Sequence, residues 1–282
     1  MCQNVKWGIS VLFAAVIYGV SGHAIAQQSD VEKAQDASEV ASNWQTSIGI
    51  KLHPNKLSGI TGFSIPSPAG VLNTADATNS GTELTPILFG SIRYKNFFIS
   101  GSHFFNTNYD IKTQLTNAAI DISRNETDVN VGYYVLPSLS LSLGYKELKA
   151  TGGLGDAKYA GPVVGISGYG SMGSGFGLYG SFAYGDITLT SSQDIPSEAK
   201  KHKYLNLEAG LAYSFDFRER GGFLNAVTLT LGFRYQNNES KNTIPSQLVV
   251  LNGGLPTPLG PPTPVRWSNT SQGPVLGLIV SF

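Results

Sequence analysis

The chain is poor in several things that an ordinary soluble domain has. It holds one cysteine, Cys2, in 282 residues, so no disulfide framework supports the fold and no thiolate metal site is available. Charged residues make up 13% of the sequence, about half the usual share. The balance is near neutral, 19 basic against 19 acidic residues, which removes the electrostatic case for nucleic acid as a partner. The longest apolar run, Trp7 to Val20, falls short of the roughly 20 residues that a spanning helix needs. No His-Glu cluster stands at metal-ligand spacing and no Gly-x-Ser-x-Gly nucleophile motif occurs, so the residues call for no metal, cofactor or serine hydrolase chemistry.

What is present begins with Lys6, the apolar run and Ala24-Ile25-Ala26. This pattern predicts a signal peptide over 1–26 with cleavage after Ala26. Cys2 precedes the apolar run and would leave with it. The polar stretch 27–43, without an apolar stripe, reads as a periplasmic linker ahead of a main domain over 44–282.

From Trp44 onward a two-residue period takes over. Ten segments are long enough to cross a bilayer as tilted strands: 44–53, 83–94, 97–109, 122–136, 139–150, 159–172, 176–190, 203–217, 226–239 and 270–282. In the ninth, Val227, Leu229, Leu231, Phe233 and Tyr235 alternate with Thr228, Thr230, Gly232, Arg234 and Gln236. Lys95-Asn96, Pro137-Ser138, Gly173-Ser174-Gly175 and the stretch Arg218 to Asn225 are short links. They alternate with polar loops expected at 54–82, 110–121, 151–158, 191–202 and 240–269. Low charge without a spanning helix points to strands in lipid, where a closed barrel is the arrangement that pairs every backbone group. The expected fold is all-β: a transmembrane antiparallel up-and-down barrel of ten strands, both termini periplasmic. Tyr94, Tyr133, Tyr145, Tyr184, Tyr213 and Tyr235 are candidates for its interfacial girdles.

The chain ends on Phe282, with Val280, Leu278 and Leu276 set back at every second position. This ending resembles the last strand of bacterial outer-membrane β-barrels, and the ten-strand pattern from about 44 to 282 resembles the small, porin-like members of that class. The resemblance implies a Gram-negative outer-membrane location. It also implies contact with outer-membrane lipid and lipopolysaccharide, insertion by the barrel assembly machinery reading those four residues, and small solutes as candidate cargo. Pro274 departs from the terminal pattern and is expected near the outer end of its strand.

If the polar faces point inward, the lumen holds Arg124, Glu126, Asp128, Lys146, Glu208 and Arg234, with Asp128 near Lys146 and Glu208 near Arg234. Charges at membrane depth must pair or line water. The network therefore serves either as a selectivity lining or as a filling that holds register, because ten strands stand between a packed barrel and an open one.

Omptin proteases also have ten strands, with an acidic pair and an Asp-His pair at the outer rim. Here His53, His103 and His202 remain after the signal. His202, near Asp194 and Glu198 in sequence but beside Lys200, Lys201 and Lys203, reads as part of a solvated basic loop, and His103 as a lumen or interface residue. The Gly168–Gly173 run matches a dinucleotide fingerprint in letters only, since no helix follows it. The functional expectation is a non-catalytic porin-like channel or structural barrel. The alternatives are a surface recognition barrel using the external loops, of which 245–264 is proline-rich, and an omptin-like or lipid-acting hydrolase.

Overall fold

The computed structural model describes residues 44–67, 70–114, 119–153, 155–192, 197–217, 223–252 and 255–282. The expected signal peptide and linker lie outside the described residues, as does part of the 218–225 link. Ten strands close into one antiparallel barrel: β1 (Trp44–Ser67), β2 (Gly70–Tyr94), β3 (Phe97–Thr113), β4 (Ala119–Leu136), β5 (Leu139–Gly152), β6 (Ala157–Gly173), β7 (Phe176–Ser191), β8 (Lys201–Asp216), β9 (Ala226–Ser240) and, last in the chain, β14 (Ser268–Ser281). Each strand pairs with its sequence neighbours, and β14 closes on β1 through Ser47↔Ser281 to Ile60↔Ser268. The last residue is tied in: Phe282 N donates to Thr46 O at 2.8 Å, so no edge is left open at the seam.

Several strands outrun their expected limits. The segment 54–82, expected as a loop, is the outer half of a hairpin whose pairing runs to Ser67↔Gly70, with one register shift between Lys56 and Ser58. Its inward side carries small polar residues, Thr74, Asp76, Thr78 and Ser80, all buried, so the apolar period that marks a strand is missing there. The described residues of 240–269 likewise form two nested strand pairs, β10 (Ile244–Ser246) with β13 (Thr263–Val265), and β11 (Val249–Asn252) with β12 (Leu255–Pro258). Prolines suit such two-stranded ribbons, where few ladder donors are needed.

Pro274 is not near a strand end as expected; it pairs with Phe233 in the middle of β14. The β1–β14 register is read as Leu52↔Leu276 and then Lys56↔Gln272, which sets Pro54 opposite Pro274. The ladder lapses where two residues without N–H face each other, and His53 Nδ1–H donates to the Pro274 carbonyl at 2.9 Å instead.

The outside of the barrel is apolar at mid-height. Ile48, Ile50, Leu88, Val129, Val131, Leu141, Leu143, Val164, Leu211, Leu231, Leu276 and Leu278 are exposed there. Aromatic pairs ring the short-turn end: Trp44 with Tyr94, Phe97 with Tyr133, Phe176 with Tyr213 and Phe223 with Phe282, at centroid distances of 4.7, 4.9, 4.6 and 4.7 Å. Tyr145 and Tyr184, also exposed, mark the far side of the belt. A contiguous belt of this size would be untenable in water and is the surface a bilayer covers.

Candidate functional site

The alternation that builds the belt turns the other face of every strand inward, and the interior is layered. At mid-height lies the charge network. The register sets Asp128 opposite Lys146 and Glu208 opposite Arg234. Lys146 Nζ donates to Glu126 at 2.6 Å and to Asp128 at 3.0 Å, and Arg124 pairs with Glu126. Glu208 accepts from Arg234 at 3.5 Å and from Lys51 at 2.5 Å. Gln236 Nε2 donates to both Glu126 oxygens at 3.1 and 3.2 Å, joining β9 to β4 across the lumen. Lys146, at 1% exposure, is the largest fully buried side chain among the described residues. The cations are also backed by rings: Lys146 Nζ lies 4.9 Å from the centroid of Tyr204, and the Arg234 guanidinium 4.5 Å from that of Phe104.

All six network residues named from the sequence therefore lie in one layer. Lys51 and Gln236 belong to it too. Lys51 shares its inward parity with Ser47 and His53, which was a readable signal. Its reach across the barrel to Glu208, from β1 to β8, was not readable from local pattern.

Toward the long-hairpin end comes a layer of neutral hydrogen bonds centred on Asn55. Its Oδ1 accepts from Tyr109 at 2.8 Å and from Ser271 at 3.1 Å, and its Nδ2 donates to Thr85 at 2.8 Å. The space left between this layer and the charges is about 10 Å³, room for one water at most. Above it Ala75, Leu189, Ala199, Ile244 and Trp267 form an apolar plug, with Ile60, Ala157, Tyr159 and Val265 packed against it. Ile244 and Val265 come from the β10–β13 hairpin, which thus folds over the mouth.

His202 corrects the sequence reading: it is not in a solvated loop but in β8, 2% exposed, its ring edge-on to Tyr159 at 5.1 Å. The neighbouring Lys201 and Lys203 point outward, exposed, so this level stands clear of the apolar belt. Burial pushes the imidazole down to about 4, with the Ala199 backbone opposing part of that push. Asp194 lies outside the described residues. His103 faces outward, exposed, its Nδ1 3.0 Å from Thr127 Oγ1, and His53 points into the lumen.

Toward the short turns the lumen opens into a cavity of about 480 Å³ that reaches Gln45 and Arg93 and is roofed by Lys51, Glu208 and Arg234. Glycines make room for rings in its wall. A Cβ on Gly232 would stand 2.3 Å from the Tyr179 hydroxyl, and one on Gly49 2.4 Å from Phe89. The Gly168–Gly173 run is the end of strand β6, as close packing rather than nucleotide binding requires. Among the described residues no group of three or more His, Cys, Asp or Glu could hold a metal.

An apolar belt, aromatic girdles and a polar lumen inside a closed antiparallel sheet define the class: a transmembrane β-barrel of the Gram-negative outer-membrane type. No protein family and no curated protein matches the sequence. Among solved structures, the outer-membrane protease OmpT from Escherichia coli is similar at 12% identity over 84% of this chain and 97% of its own, with a TM-score of 0.45. The Neisserial surface protein A matches at 13%, 86% and 100%, TM-score 0.28. The Pseudomonas putida toluene transporter TodX matches at 9%, 86% and 90%, TM-score 0.27. A protease, a surface protein and a transporter stand side by side at these scores, and no activity follows from the likeness.

Proposed function

We propose that the protein is a non-catalytic structural barrel of the outer membrane, closed to solute flow, with the short turns and both chain termini in the periplasm and the long hairpins outside. The observation that carries this reading is the layered filling of the lumen: a buried ion-pair layer, a neutral hydrogen-bond layer and an apolar plug follow one another along the axis. Conduction needs a continuous wet path, and each of these layers interrupts it. The charge network then acts as a register lock, since Glu126 and Glu208 each meet cations from two strands and Lys146 ties Asp128 of β4 to β5. His202 supports the non-catalytic half, because a buried, neutral imidazole edge-on to a tyrosine is poorly placed to take protons from substrate.

Liposome swelling with pentoses and hexoses tests the closure. Vesicles holding the folded protein should swell no faster than protein-free vesicles, whereas swelling at porin rates would overturn the reading.

A second reading, surface recognition, is favoured by one observation. The hairpins above the belt expose Val71, Leu248, Val250, Leu255 and Leu259, apolar side chains that lie outside the bilayer and are uncovered. Replacing 245–264 with a short Gly-Ser linker should abolish capture of any partner that the intact surface holds; unchanged capture would exclude that hairpin.

A further inference from the structure

The cavity at the short-turn end is not accounted for by a register lock. Its volume, about 480 Å³, falls in the range of about 300–1,000 Å³ typical of small-molecule sites. The charged residues lining it are Lys51, Arg93 and Arg234 against Glu208 alone. Glu208 is already shared by Lys51 and Arg234. Arg93 has no carboxylate among the described residues: its Nε donates to Lys95 O at 2.6 Å and its guanidinium lies 4.0 Å from the Tyr134 centroid. Stacking of this kind holds the planar fork in place while leaving its outer N–H groups free for an oxyanion. Two cationic charges more than anionic ones line a space walled by low-dielectric barrel, which draws an anion inward.

The walls add a second preference. Seven of the lining residues are serines. Some are committed, Ser140 to Ser167 at 2.8 Å and Ser102 to Asp128 at 3.2 Å, but Ser91, Ser100 and Ser181 carry hydroxyls without a partner among the described residues. At the roof, Asn206 Oδ1 and Arg234 Nε are also without a hydrogen-bond partner. Phe89, Phe98 and Tyr134 supply the aromatic surface. Free hydroxyls, an unpartnered amide oxygen and ring faces suit a ligand with hydroxyl groups of its own.

We infer that this cavity is a binding site for a small anionic polyol, of the sugar-acid or sugar-phosphate class, entering from the short-turn end with Arg93 on its acidic group. The site requires only the cavity and its lining, so it stands or falls separately from the closure of the lumen above it.

Isothermal titration of the folded, detergent-solubilised protein tests it with gluconate, glucose 6-phosphate, glucose and inorganic phosphate. Gluconate or glucose 6-phosphate should bind at least about tenfold more tightly than either glucose or phosphate. Arg93→Gln should weaken that binding by about tenfold or more, the loss expected when charge-assisted hydrogen bonds to an anion are removed. As a check that needs no charge change, Ser100→Cys in a Cys2→Ser background should react with a water-soluble maleimide, and the bound anion should slow the reaction. Failure of both anionic polyols to bind overturns the inference. So does equal affinity for glucose, equal affinity for phosphate, or labelling of Ser100→Cys that is indifferent to the ligand.

Discussion

Lys146 shows what a single side chain does in this lumen. Its ammonium satisfies Glu126 and Asp128 together at 1% exposure, so Lys146→Met would leave Asp128 without its cation and Glu126 with the Arg124 cation alone, rather than merely delete one contact. Removing one partner of a buried pair costs about 3–5 kcal/mol. The variant should therefore lose its heat-modifiable folded band on electrophoresis at a markedly lower temperature, and adding Glu126→Gln should restore part of the loss. Gly232 makes the same point through sterics: Gly232→Val would drive a side chain into Tyr179 and the Ala209 carbonyl, and a loss of about 1–3 kcal/mol is expected from overpacking. His202 gives the pH signature. Its folded value lies below its unfolded one, so its contribution is present above the unfolded value and is lost as pH falls between about 6.5 and about 4. Wild type should lose thermal stability over that window, and His202→Phe should lose less; equal losses would show that the imidazole is not held neutral.

At the scale of elements, the terminal strand closes the barrel, and its last residues are the ones expected to act as an assembly signal. Leu276 and Leu278 face outward, Val280 continues the stripe, and Phe282 packs on Phe223 while its N–H holds Thr46. Phe282→Asp should lower the yield of folded protein in the outer membrane, measured by heat-modifiability of membrane fractions. Wild-type yield would count against the terminal residues as an assembly signal. The ten strands were legible because belt-height residues alternate strictly, as Leu139 to Tyr145 do. Strand length was not legible in the β1–β2 hairpin above the belt, where the inward residues of β2 are Thr74, Asp76, Thr78 and Ser80, so no apolar period repeats there. Pairs between neighbouring strands, Asp128 with Lys146 and Glu208 with Arg234, followed from hairpin counting. The cross-lumen contacts of Lys51 and Gln236, and the folding of β10 and β13 over the mouth, depend on barrel curvature and loop return, which local sequence does not encode.

For the whole molecule, the layers combine into a barrel with a cavity at one end and an apolar cluster at the other. A ten-stranded barrel is wide enough to hold buried ion pairs yet narrow enough for side chains to fill it, and this chain fills three layers while leaving the cavity below them. The most direct test is ion conductance across planar bilayers containing the purified, folded protein. The account predicts no stable conductance steps above the protein-free baseline at moderate voltage. Regular, long-lived steps from the wild-type protein would contradict it and make the charge layer a selectivity lining instead.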